Sequence, residues 1–156
     1  MRAGNNIVQD IQGFMKNFWG NSCYAWCLTK YFAPTELDLR ELCGFILHGW
    51  RRGYIDGDCF VEKPIPFIES FCEYRYPPID IRKIPITDLK ELPEEDWIVE
   101  YKLNPGAAAS HFVIANKKGV IFDPSGKSNT VQNGKPFTFR AFIYPKGKEW
   151  KGNIIE

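Results

Sequence analysis

The segment Gly20-Asn21-Ser22-Cys23-Tyr24-Ala25-Trp26-Cys27-Leu28-Thr29 constrains the fold more than any other stretch of the chain. From Ser22 to Thr29 it carries no charge, and its apolar residues surround every side of a 3.6-residue wheel, so the segment reads as a helix buried all round. Such a helix belongs at the centre of a core. Asn21 or Ser22 can cap its first amides, and Gly20 permits a sharp turn into it. Cys23 then falls in the first turn, facing the positive end of the helix macrodipole, where thiolate is favoured over thiol and nucleophilic chemistry becomes accessible. The competing reading of Cys23 is a small buried hydrophobe.

A helix of this kind needs walls on every side, and the rest of the chain supplies them. With 156 residues, 44% of them apolar and 15% aromatic, the chain is long enough for one sizeable core and too short for two ordinary domains. A single domain over residues 1–156 is expected. Ile7, Val8, Ile11, Phe14, Met15, Phe18 and Trp19 recur at spacings of three and four, as in a short amphipathic helix or packed arm, with Gln12 and Asn17 embedded among them. The central helix should stop before Pro34. Thr35-Glu36-Leu37-Asp38 resembles a capping box, with a second amphipathic helix through Leu37, Leu39, Leu42, Phe45, Ile46 and Trp50 that ends near Gly53. His48 lies off the apolar stripe of that helix and is read as a surface residue.

From Tyr54 to Pro93, prolines at 64, 66, 77, 78, 85 and 93 break the chain into a short helix around Phe67 to Glu73, an extended piece from Ile79 to Ile86, and a turn at Thr87 to Leu92. The segment reads as a crossing connection between two halves. Beyond it the pattern is strand-like: Trp97 to Leu103, His111 to Ala115, Val120 to Phe122 and Phe137 to Tyr144. Helices over about residues 1–75 and an antiparallel sheet over about 95–145 make an α+β domain with helices segregated to one side.

Charge excludes some classes of function. The formal net charge is +1, so no broad electrostatic footprint for nucleic acid or an anionic membrane is present. Five cysteines (Cys23, Cys27, Cys43, Cys59 and Cys72) contain no Cys-x-x-Cys pair, and with only His48 and His111 beside them they match no zinc spacing. No metal or organic cofactor is expected. Reduced thiols, no apolar run of membrane-spanning length and no apolar leader segment after Met1 lead to the expectation of a cytoplasmic protein.

A second constellation lies in Ser110-His111-Phe112-Val113-Ile114-Ala115-Asn116-Lys117-Lys118-Gly119-Val120-Ile121-Phe122-Asp123-Pro124-Ser125-Gly126. It reads as a hairpin. If the loop is a three-residue type I turn closed by a glycine bulge, Val113 pairs with Asp123 and His111 shares a face with Asp123 as a diagonal neighbour. A two-residue loop at Lys117-Lys118 would place Asp123 on the opposite face, because a one-residue slip inverts every side chain. An imidazole held by a carboxylate through one nitrogen can take a thiol proton through the other, so Cys23, His111 and Asp123 would fill the roles of nucleophile, base and orienter.

These two motifs resemble those of the papain-like cysteine peptidase superfamily. The pattern is most similar to the bacteriocin-processing peptidase domains attached to ABC exporters and their free-standing relatives, in which a histidine-led strand is followed by an Asp-Pro turn. The box Gly20-Asn21-Ser22-Cys23-Tyr24 also resembles that of ubiquitin-specific proteases, whose usual catalytic domain is far longer than this chain. The resemblance implies a papain-like fold, with the buried central helix packed on the antiparallel sheet, and a thiol hydrolase acting on a peptide or protein substrate through Cys23, His111 and Asp123. Papain-like enzymes carry a glutamine six residues before the cysteine, whose side chain joins the cysteine N–H in the oxyanion hole; here that position is Asn17, with Gln12 and Asn21 as fallbacks. Trp19 is a candidate for a substrate wall, and Cys27, one helical turn past Cys23, is read as core, with a redox partner of Cys23 as the alternative. Three other readings stay open at this stage: a peptidoglycan amidase or endopeptidase, a non-catalytic papain-like binding module, and a structural domain in which the motif is coincidental.

Overall fold

The computed structural model describes residue 18 and residues 20–32, 38–72 and 77–144. Among these residues the chain forms four α-helices and one five-stranded antiparallel sheet, an α+β arrangement. The helices are α1 (Cys23–Phe32), α2 (Leu39–Arg51), α3 (Pro64–Phe71) and the short α4 (Asn129–Asn133). The strands are β1 (Asp80–Pro85), β2 (Trp97–Lys102), β3 (His111–Asn116), β4 (Gly119–Phe122) and β5 (Lys135–Ile143), arranged β1-β5-β2-β3-β4.

The segment from Ser22 to Thr29 enters the core, but not on every side: Cys23, Tyr24 and Trp26 are only half-buried. Ala25, Cys27, Leu28 and Phe32 are fully buried, and side chains the size of Leu28 and Phe32 each contribute about 1.5–3 kcal/mol when removed from water. Phe32 meets Phe142 of β5 edge-on at 4.9 Å, and the Tyr31 hydroxyl donates to the carbonyl of Asp96 at 2.8 Å, so the C-terminal end of α1 is pinned to the sheet. Gly20 and Asn21 ahead of it are already helical, and only Ser22 interrupts the run. The sharp turn expected at Gly20 is therefore absent, and Asn21 is not a cap: its amide donates to the carbonyl of Asp58 at 2.9 Å.

The next helix is capped three residues later than its sequence suggests. Asp38 is the N-cap of α2 and Glu41 completes the capping box, with the Asp38 carboxylate accepting the Glu41 amide at 2.8 Å. Thr35 to Leu37 lie outside the described residues. The helix ends at Arg51, just before Gly53, whose φ of +80° suits glycine, and His48 is exposed as expected. The proline-rich helix starts at Pro64, in the first turn where a proline has no lost hydrogen bond, and runs to Phe71.

The larger correction concerns residues 80–85. They are not part of a crossing connection but a full strand, β1, paired in register with β5 from Asp80↔Ile143 to Pro85↔Thr138. The sheet therefore starts well before residue 95. Its prolines are compatible with this because β1 is an edge strand, and Pro85 sits at its end. β5 returns to lie between β1 and β2, so both of its edges are paired.

Both faces of the sheet are covered. One carries Ile98, Ile114, Phe112, Phe122 and Phe142 against the helices. The other carries Trp97, Val99, Tyr101, Val113, Ala115, Phe139 and Ala141 beneath Ile86, the 3-10 turn at Leu89–Glu91, Leu92 and Val131 of α4. The turn at 89–91 is the one expected between Thr87 and Leu92; α4 was not foreseen. It is capped by the Ser128 hydroxyl and ends at Gly134, where an added Cβ would collide with the carbonyl oxygens of Thr130 and Lys102.

Candidate active site

The site forms where the N-terminus of α1 meets the first residue of β3. Cys23 is the first residue of α1, so it stands at the positive end of that helix. His111 is the first residue of β3 and stands at the open end of the strand. Its imidazole lies near enough to the Cys23 side chain for that thiol to act on its pKa, and its Nε2 lies 2.7 Å from Oδ1 of Asp123. Two side chains 88 positions apart in the chain are thus brought together by packing α1 along β3.

Asp123 reaches this position through a register change. The turn is the two-residue kind: Asn116 pairs with Gly119, and Ala115 with Val120. Continued without interruption, that register would turn Asp123 away from His111. Instead Ile114 pairs with Phe122, so Ile121 is an extra residue, a β-bulge, and it is 54% exposed. The bulge brings the end of β4 into the alternative register, and Asp123 onto the face of His111.

The carboxylate is then fixed by its own turn. The Gly126 amide donates to the Asp123 carbonyl at 2.9 Å, with proline second and a glycine of φ +79° fourth, as suits a type I turn. Oδ1 also accepts the Ser125 amide at 2.9 Å, and Oδ2 the Ser128 amide at 3.2 Å. Burial acts to raise the Asp123 pKa, but the hydrogen bonds from His111, Ser125 and Ser128 and the imidazole charge outweigh it and hold it below the ordinary carboxylate value. For His111 burial acts downward, and the hydrogen bonds and charges of Cys23 and Asp123 outweigh it and raise the pKa. Both side chains are well screened from water, at 11% and 6% exposure. The imidazole is therefore oriented, and prepared to hold a proton, beside a thiol.

The thiols around Cys23 are of another kind. Cys27 is fully buried, and burial, with the nearby Cys23 and Asp123, pushes its pKa well up. Cys59 is also fully buried and is pushed up to about 12 by burial, with Asp56 and Cys23 adding to the effect. Cys59 has a φ of +70°, a conformation that is strained for a residue with a Cβ. It belongs to a tight loop between Ile55 and Val61 in which the Asp56 carboxylate accepts the amides of Asp58 and Phe60, and Asn21 anchors this loop to the head of α1.

Of the residues expected at the site, Cys23, His111 and Asp123 come together. Asn17, Gln12 and Trp19 lie outside the described residues, and Asn21 is engaged by Asp58. Among the described residues no group of three or more histidine, cysteine or acidic side chains is arranged to hold a metal ion.

Sequence reading missed a buried polar cluster next to the pair. Glu100, Thr138 and Arg140 are 8%, 6% and 4% exposed. Thr138 donates to Glu100 at 2.9 Å, Arg140 donates to Thr138 at 2.6 Å, and the Arg140 and Glu100 charges are 3.6 Å apart. The available signal was a charged residue flanked on both sides by strand-forming apolar residues, Val99-Glu100-Tyr101 and Phe139-Arg140-Ala141. Arg140 and Glu100 form the floor of a cleft of about 400 Å³ whose walls include Tyr24, Phe60, Lys83 and Phe112. A larger cleft of about 530 Å³, around Ile86, Lys102, Leu103 and Phe137, contains none of the three site residues.

Compared with known proteins, the chain matches no family model, no curated protein and no solved structure. Among the described residues no helix is long and apolar enough to cross a membrane.

Proposed function

We propose that this chain is a papain-like cysteine peptidase or related thiol hydrolase that cleaves an amide or isopeptide bond in a peptide or protein substrate. The observation that carries the reading is the position of one imidazole, bonded at Nε2 to Asp123 at 2.7 Å and close to the Cys23 side chain at the head of a helix. Nucleophile, base and orienter would each come from a different element, which supports this division of roles.

The reaction follows from that order. Cys23 Sγ forms a bond to the substrate carbonyl carbon while its proton passes to the ring nitrogen of His111 not held by Asp123. The tetrahedral intermediate collapses as His111 returns that proton to the departing amine, which leaves a thioester on Cys23. Water then adds to the thioester, His111 taking its proton, and the carboxylic acid leaves as the proton returns to sulfur. Asp123 stays ionised throughout, since its oxygens are occupied by three N–H donors. The backbone N–H of Cys23 and the side-chain amide of Asn17 are the proposed donors to the oxyanion.

Alkylation of the native protein by iodoacetamide across pH, read by mass spectrometry against His111→Ala, tests this reading without a known substrate. Cys23 is expected to react ahead of the other four cysteines and to slow in the variant. Equal reactivity of all accessible thiols, unaffected by His111, would overturn the reading.

A further inference from the structure

We propose that Arg140, paired with Glu100, is a positioning residue for the Cys23–His111 pair, acting through the aromatic rings of Tyr24 and Phe112. The inference rests on the peptidase reading and adds to it a component outside the three site residues. Tyr24 directly follows Cys23, and Phe112 directly follows His111. Their rings lie 4.4 Å apart and 31° from parallel. The Arg140 guanidinium sits on this pair, 5.6 Å from the Tyr24 centroid and 4.9 Å from that of Phe112. One planar cation thus touches the neighbours of both reacting residues.

Glu100 completes the link from the other side. Phe112 lies opposite Glu100 in the β2–β3 ladder, and Thr138 lies opposite Glu100 in the β2–β5 ladder, so the carboxylate stands between the two strands. It accepts from Thr138, and Ser110, the residue just before His111, lies close enough to act on its charge. His111 is therefore bracketed: Ser110 lies near Glu100, and Phe112 lies under Arg140.

The placement within the sheet is selective. Along the helix-facing side, the positions beneath the C-terminal end of α1 are apolar, with Phe142 against Tyr31 and Phe32. Beneath its N-terminal end, next to Tyr24, the same side carries a buried ion pair instead. Burying such a pair has a desolvation cost that well-packed apolar residues would avoid, so stability alone does not explain why it sits under the nucleophile. A guanidinium that engages two rings, a hydroxyl and a carboxylate from fixed directions is a device for holding geometry.

The test uses Cys23 alkylation rates corrected for the folded fraction, with NMR titration of the His111 ring in the same protein. The double variant Glu100→Gln, Arg140→Met removes both charges together, so neither is left buried and unpaired. It is expected to fold, to alkylate at Cys23 about 10- to 100-fold more slowly at pH 6, and to lower the His111 pKa toward the ordinary 6.5. Arg140→Lys retains the charge but not the planar stack, and is expected to recover thermal stability while recovering at most part of the rate; it carries the same test if the double variant fails to fold. A folded variant with wild-type alkylation and wild-type His111 titration overturns the positioning role and leaves the peptidase reading intact. A wild-type Cys23 that is indifferent to His111→Ala overturns the peptidase reading, and this proposal falls with it.

Discussion

His111 Nε2 and Asp123 Oδ1 meet at 2.7 Å only because β4 contains one residue more than its partner strand requires. The turn at Lys117-Lys118 sets one register, the bulge at Ile121 replaces it with the other, and the carboxylate arrives on the face of the imidazole. Asp123 is thus more than a neighbour of His111: a bulge aims it and two backbone amides hold it.

Asp123→Asn preserves shape while removing the charge and one of the two acceptor oxygens. The amide keeps one acceptor oxygen and puts an NH2 in place of the other, so it cannot serve both the His111–Ser125 side and Ser128, and the imidazole loses the charge that raises its pKa. We expect Cys23 alkylation and any hydrolytic activity to fall by about 10²- to 10⁴-fold, with a lowered His111 titration midpoint in NMR. An unchanged midpoint would mean that Asp123 does not act on the imidazole.

The same two shifts predict a pH window of stability. The His111 pKa is raised in the folded state, so its contribution is complete below the ordinary value of 6.5 and is lost as pH rises through the folded pKa. The Asp123 pKa is lowered, so its contribution is complete above the ordinary value of 3.8 and is lost as pH falls through the folded pKa. The stability difference between wild type and Asp123→Asn, measured by urea unfolding from pH 3 to 9, should therefore be largest between about pH 4 and 6.5 and shrink on both sides. A difference that grows steadily toward pH 9 would contradict the assignment.

Much of this arrangement was legible before the structure, and the reasons for the remainder are physical. The uncharged run from Ser22 to Thr29 left a helix nowhere to be but the core, and β-branched and aromatic residues marked β2, β3 and β5. β1 was hidden because Pro77, Pro78 and Pro85 signal a connection, and the edge position that tolerates them depends on distant strands. The bulge was equally hidden: Ile121 looks like any strand residue, and its exposure becomes visible only once Phe122 is paired with Ile114. Glu100 and Arg140 would ordinarily be placed on a solvated face; each is buried only because the other neutralises it across the width of β2 and β5.

Cys59 is expected to be silent in the native protein. It is fully buried with a pKa pushed up to about 12, so at neutral pH it presents neither access nor thiolate. Its alkylation should therefore follow unfolding, remaining slow in buffer and becoming rapid in concentrated urea, and it should be indifferent to His111→Ala. Rapid labelling of Cys59 in the native state would show that the loop from Asp56 to Phe60 opens without global unfolding.

Two glycines should respond in opposite directions to alanine. Gly20 is helical and exposed, its conformation is ordinary, and an added Cβ would meet nothing within 4 Å. Gly20→Ala restricts the unfolded chain and improves helix propensity, so we expect a gain of up to about 1 kcal/mol, with Cys23 alkylation unchanged. Gly134 has no such room, because a Cβ there would run into the backbone carbonyls of Thr130 and Lys102, neither of which is a flexible side-chain end. Gly134→Ala must push α4 away from β2 and is expected to cost about 1–3 kcal/mol. Urea unfolding of both variants measures the contrast. A destabilised Gly20→Ala would restore the sharp turn ahead of Cys23 that the helical backbone at Gly20 and Asn21 argues against.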